Sequence, residues 1–98
     1  MKKLIVDAYI IDSLMADLAG HDRQPSSFLV YLVLWKLTHG AGTDTVQVAL
    51  QDLAEHTGLS KRSVQSGLSW LARRKLLAVS RAGMTAVPVY TVMCPWRR

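Results

Sequence analysis

Arg62 and Gln65 stand three residues apart in the run Ser60-Lys61-Arg62-Ser63-Val64-Gln65-Ser66, so a helix there presents both on one face. Arginine and glutamine are the side chains that make paired hydrogen bonds to the edges of guanine and adenine respectively. Ser60, Ser63 and the N–H groups of a helix start suit phosphate oxygens. With Val64, Leu68 and Leu71 forming an apolar stripe at spacings of four and three, Lys61, Arg62, Gln65, Ser66 and Ser69 fall outward. Small residues at Ser66, Gly67 and Ser69 let such a helix seat deeply against a partner. Arg73 follows at the helix end, and Arg81 stands beside the Ala82-Gly83 turn.

The charge distribution agrees with these residue types. Residues 60–98 hold eight Lys and Arg and no acid, whereas residues 1–59 hold four bases and all seven acids. One end of the chain is therefore a cationic surface suited to a polyanion. Lys61 and Arg62 also suit a solvated first helical turn, and Arg73-Arg74-Lys75 opposes the dipole at a helix C-terminus. Trp70 packs against the C-terminal strands or Trp96, or else meets a partner protein. Arg97-Arg98 reads as a flexible tail adding nonspecific attraction.

Other chemistries find little support. His21, His39 and His56 fall in three separate segments, without the spacing or cysteine clustering of a metal site. Cys94 is the only cysteine, so no internal disulfide forms, in keeping with a reducing compartment. Phosphate-binding loop, nucleophile elbow and paired-carboxylate patterns are all missing, so neither catalysis nor a cofactor is expected. The apolar run Phe28–Trp35 is far short of the roughly 20 residues that span a bilayer. Asp7, Asp12 and Asp17 interrupt any signal-like hydrophobic stretch, and a cytoplasmic location is expected.

The elements that must carry these residues follow from periodicity. Ile10, Ile11, Leu14, Met15 and Leu18 predict an amphipathic helix over 7–18, with Gly20 as its stop. A second helix from Ser26 or Ser27, one of them its cap, runs to about His39 and is apolar nearly all round. Val46-Gln47-Val48 alternates like a short strand. Leu50–Thr57 is helical and stops at Gly58, and Ser60 caps a helix from Lys61 to about Lys75. Leu76–Arg81 and Ala86–Met93, with Ala82-Gly83 between, read as a hairpin. Pro88 lacks an N–H, which puts it on an edge strand or at a position without a ladder bond. The class is α+β, mainly helical.

Two helices joined by Thr57-Gly58-Leu59-Ser60, with small Ala54 on the first and Leu53, Leu59, Val64 and Leu68 filling the wedge, form a helix-turn-helix. Leu53-Ala54, Gly58-Leu59-Ser60, Val64, Leu68, Leu71 and Leu76-Leu77 resemble the pattern of bacterial winged helix-turn-helix regulators. The MarR and GntR groups and plasmid replication initiators have similar segments. The resemblance covers residues 26–93 and is specific over 45–80. Two positions depart from it: Lys75 stands where many relatives have a glycine, and Trp70 where a charged residue is usual. The resemblance implies a domain over 26–98 whose helix from Lys61 lies in the major groove of double-stranded DNA. Its hairpin wing reaches neighbouring backbone or minor groove. The expected function is transcription regulation by operator occupancy. The alternatives are a winged helix used as a protein-interaction module and a plasmid or phage replication-initiator domain. No small-molecule ligand is expected. Residues 1–25 add a helix and loop with an apolar stripe of their own, for which a homodimer through the N-terminal half is the expected cover.

Overall fold

The computed structural model describes residues 1–97. An N-terminal helix over residues 8–21 leads into α1 (Pro25–Leu37), a 3₁₀ turn (His39–Ala41), β1 (Thr45–Gln47), α2 (Leu50–Thr57), α3 (Lys61–Arg73), β2 (Leu77–Ser80) and β3 (Val89–Val92). The strands form one antiparallel sheet in the order β1-β3-β2, with Thr45 opposite Thr91 and Leu77 opposite Val92. The architecture is α+β, with a core shared between all the helices and the sheet.

Most of the N-terminal helix is wound more widely than an α-helix: Met15 N–H bonds to Ile10 O, and Asp22 N–H to Asp17 O over 2.8 Å, each five residues back. Ile10, Leu14 and Leu18, every fourth residue, are buried against the core, while Ile11 and Met15 stay about 40% exposed. The helix continues through Gly20 to His21 instead of stopping there. The left-handed residue is Arg23 (φ 56°), after which Gln24 N–H reaches back to Leu18 O at 2.7 Å. Gln24 then caps α1 from its backbone, and Pro25 takes the first helical position, where a missing N–H costs nothing. Neither Ser26 nor Ser27 is the cap. Ser27 is buried, with its hydroxyl donating to Gln24 O over 2.6 Å.

The N-terminal helix lies on α1 of its own chain, so the stripe from which a dimer was expected is largely covered within the protomer. Phe28, Val30, Tyr31, Leu34 and Trp35 of α1 are buried, leaving Leu29 as its exposed large apolar residue. The ends of the chain help close this layer. Trp35 Nε1 donates to Ile5 O (2.9 Å), and Tyr9 stacks on Trp96 at 4.7 Å. Asp7 accepts from Trp96 Nε1 (2.7 Å) and, in a paired bond, from Arg97 (2.6 and 2.7 Å). Arg97 is thus tied down rather than part of a free tail; Arg98 lies outside the described residues. Those bonds hold the Asp7 carboxyl down at about 2, Arg97 contributing most and Trp96 next.

Two local devices shape the other half. Gly58 adopts φ 76° and its N–H closes on Ala54 O at 2.9 Å, which turns the chain from α2 towards α3. Ser60 caps α3, its Oγ accepting from Ser63 N–H at 3.1 Å. At the far end Leu76 N–H bonds to Leu71 O (2.9 Å) and Lys75 N–H to Ala72 O (3.1 Å), a Schellman pair with Lys75 left-handed at φ 59°. That conformation is the physical reason a glycine suits the position. The hairpin of β2 and β3 is joined by residues 81–88, so Ala82-Gly83 lies within a longer loop rather than forming a tight turn. Pro88 precedes β3, which is the central strand; outside the ladder, it only accepts a bond from Val48 N–H.

Candidate functional site

The buried stripe of α3 comprises Val64, Gly67, Leu68 and Leu71. Gly67 therefore faces α1 and not solvent: a Cβ there would stand 3.2 Å from Ser27 Cα and from Val30 Cγ2. The close approach of α3 to α1 accounts for this glycine, and the reading that it helps the outer face seat deeply is corrected. Lys61, Arg62, Gln65, Ser66, Ser69 and Arg73 are all exposed, as the wheel requires. Ser60 is exposed and Ser63 half-buried, and their hydroxyls bond to each other at 3.1 Å while Ser60 caps the helix. Of the first-turn amides, that of Ser63 is satisfied internally by this cap.

Five of the expected residues come together. Arg62, Gln65, Ser66, Ser69 and Arg73 line an open concavity of about 380 Å³, completed by Gln24 and Trp70. Arg81 belongs to a second hollow of about 710 Å³ on the other flank of α3. Gln65 and Ser69 border both, so they form a crest between the two. The second hollow is walled mainly by apolar side chains, among them Leu50, Ala72, Val79, Val87, Pro88 and Tyr90. Lys61, Ser60 and Ser63 line neither; they mark the N-terminal end of the crest.

A residue outside the expected set, Asp22, holds Trp70 of the first hollow in place. Asp22, its side chain only 5% exposed, accepts hydrogen bonds from Trp70 Nε1 at 2.9 Å and His21 Nδ1 at 3.0 Å, and forms an ion pair with Arg74 Nε at 3.0 Å. The bond from His21, then that from Trp70, lowers its carboxyl below the ordinary value against the opposing effect of burial. Trp70 is thus held on the side of the N-terminal helix, and neither the hairpin nor Trp96 receives its N–H. The guanidinium of Arg73 lies 5.6 Å from the Trp70 ring centroid. The basic triplet divides into three roles: Arg73 faces the hollow, Arg74 neutralises Asp22, and Lys75 makes the turn. Among the described residues, Lys61, Arg62, Arg73 and Arg81 form no ion pair with a carboxylate.

Gln24 and Asp22 escaped the sequence reading because they reach α3 from a loop more than 35 residues upstream. Nothing in their local pattern signals it. The histidines are engaged separately: His21 with Asp22, His39 stacked on Trp35 at 4.3 Å with Nε2 3.1 Å from Val92 O, and His56 exposed on α2. Among the described residues no group of His, Cys, Asp and Glu could hold a metal ion, and no helix is long and apolar enough to cross a membrane. No protein-family model, curated protein or solved structure matches this chain.

Proposed function

We propose that this chain is a winged helix-turn-helix module that binds double-stranded DNA sequence-specifically and regulates transcription by occupying an operator. The observation that carries the reading is the outer face of α3. There Arg62, Gln65, Ser66, Ser69 and Arg73 gather in one hollow, and residues 60–98 contain no acid to oppose them. Asp22, which holds Trp70 of that hollow, is already matched by Arg74. In this reading α2 and the Gly58 turn position α3 as the recognition helix, and the β2–β3 hairpin is the wing. Arg62 and Gln65 supply the geometry for guanine and adenine edges, while Lys61, Arg73 and Arg81 meet phosphates.

The test is selection of bound sequences from a random duplex pool, followed by a salt titration of the selected duplex. A defined site, with affinity falling steeply in log salt, supports the reading. Binding equal for all sequences, or none, refutes it. Oligomeric state is a separate part of the proposal. Ile5, Ile11, Met15 and Leu29 remain exposed near the N-terminal layer, and they are what a second copy would cover. A mass near twice 10.9 kDa by light scattering, with an inverted-repeat site whose halves lie about 34–36 Å apart, supports a two-fold pair. A single-chain mass with a single half-site refutes it.

A further inference from the structure

The two flanks of α3 differ in chemistry, although they share the crest of Gln65 and Ser69. One flank is cationic and polar. The other is a mixed trough in which apolar side chains outnumber polar ones, and one wall continues the sheet's core face. Tyr90 and Val92 alternate inward along β3, and their partners across the ladder are Val79 and Leu77. Leu77 is covered by the core, but Val79, one step further along the same face, is 45% exposed. Val87, from the loop before β3, is 42% exposed beside it. Ala72, Leu50, Arg81 and Thr85 also line the trough.

We infer that this trough receives the C5-methyl groups of thymines on the DNA strand lying between α3 and the hairpin. The inference rests on the DNA-binding reading and adds base composition to it. Apolar side chains contact the thymine methyl favourably in the major groove, where that methyl is the one apolar group a base edge offers. The trough is continuous with Gln65, a residue type that pairs with adenine, and adenine carries thymine opposite it. The strand's phosphates meet Arg81, in a stretch of chain without acids, so charge favours a polyanionic strand over a neutral or basic protein segment.

The experiment uses the full chain and a duplex selected from the random pool. Thymines are replaced one at a time by deoxyuridine, which removes the methyl and keeps every hydrogen bond. At thymines seated in the trough, each replacement weakens binding about fourfold, the loss expected for one buried methyl-sized group. Val87→Ser narrows the thymine-over-uracil ratio. Arg81→Ala lowers affinity for both duplexes and leaves that ratio unchanged. Equal binding of the thymine and uracil duplexes at every position overturns the methyl assignment while leaving sequence-specific DNA binding intact. Failure to select any duplex removes both. If Val87→Asp converts a species of doubled mass into a single chain, a second copy occupies the trough and the proposal is overturned.

Discussion

The indole N–H of Trp70 donates to Asp22 over 2.9 Å, joining the end of the N-terminal helix to the flank of α3 across 48 residues of sequence. Arg74 reaches the same carboxylate oxygen at 3.0 Å, and Arg73 lies over the indole ring. The loop after the N-terminal helix therefore supports the candidate interface, with Gln24 in its lining, while the helix itself covers α1. Asp22→Ala leaves the Trp70 N–H without its acceptor and Arg74 without its counter-charge. Stability should fall by about 1–3 kcal/mol in urea unfolding, with Asp22→Asn losing less because it keeps an acceptor. An unchanged midpoint for Asp22→Ala would show that this contact contributes nothing to folding.

Arg62→Ala and Gln65→Ala should each weaken binding to a selected duplex by about 1–3 kcal/mol and relax base preference locally. Both side chains are exposed on α3, so thermal unfolding should stay within about 0.5 kcal/mol of the parent. Fluorescence titration against the selected duplex and its single-base variants checks this. Unchanged affinity and preference in both variants would place the base-reading face elsewhere.

Arg81 lines the hollow between α3 and the β2–β3 hairpin, with no acidic partner among the described residues. Arg81→Ala should lower affinity across sequences and make the plot of log affinity against log salt shallower by roughly one unit. A slope equal to the parent's removes Arg81 from phosphate contact.

Acid stability should carry the signature of Asp7. Its carboxyl titrates at about 2 in the folded chain, below the ordinary 3.8, because Arg97 and Trp96 hydrogen-bond the charged form. A depressed folded value means that the stabilisation is complete above the unfolded value and is lost as pH falls from near 3.8 towards 2. A quarter of the Asp7 side chain meets solvent, which reduces its contribution to about 1 kcal/mol. Thermal melts between pH 2 and 5 should lose part of their acid slope in Asp7→Asn, Asp22 and other carboxylates supplying the rest. An identical slope in the variant would mean that the clamp does not form in solution.

What was legible in the sequence is what is encoded locally. The Gly58 turn, the Ser60 cap, the α3 stripe and the two hairpin strands each follow from neighbours within a few positions. Lys75 does not belong with them: the helix was expected to run to it, whereas α3 ends at Arg73 and Lys75 takes a left-handed φ. The contacts that were not legible join distant residues: Trp70 to Asp22, Arg97 to Asp7, and Tyr31 Oη to Met93 O, 62 positions apart at 2.8 Å. Gly20 misled as a stop because glycine only permits a left-handed turn, and here Arg23 makes it instead.

Gly67 supplies the sharpest separation between the outer and inner faces of α3. It lies three residues after Val64 and four before Leu71, so the helical period alone places it on the buried stripe. A residue without a side chain nevertheless gives no hydropathy signal of that placement. In the structure an added Cβ would press at 3.2 Å on Ser27 Cα, a backbone atom of α1 held in its first turn, and equally on Val30 Cγ2. Backbone cannot rotate aside as a flexible side chain can, so the two helices must separate by a few tenths of an ångström. Its φ is not left-handed, so alanine's better helix propensity offsets only about 1 kcal/mol of that overpacking. Gly67→Ala should therefore lower stability by a net amount of about 1–2 kcal/mol, and larger residues should lower it further. Ser66→Ala, one position away and exposed, should leave stability within about 0.5 kcal/mol of the parent. Urea unfolding of the two variants decides the orientation: a Gly67→Ala protein as stable as the parent, or stabilised, would mean that α3 is rotated from the face described.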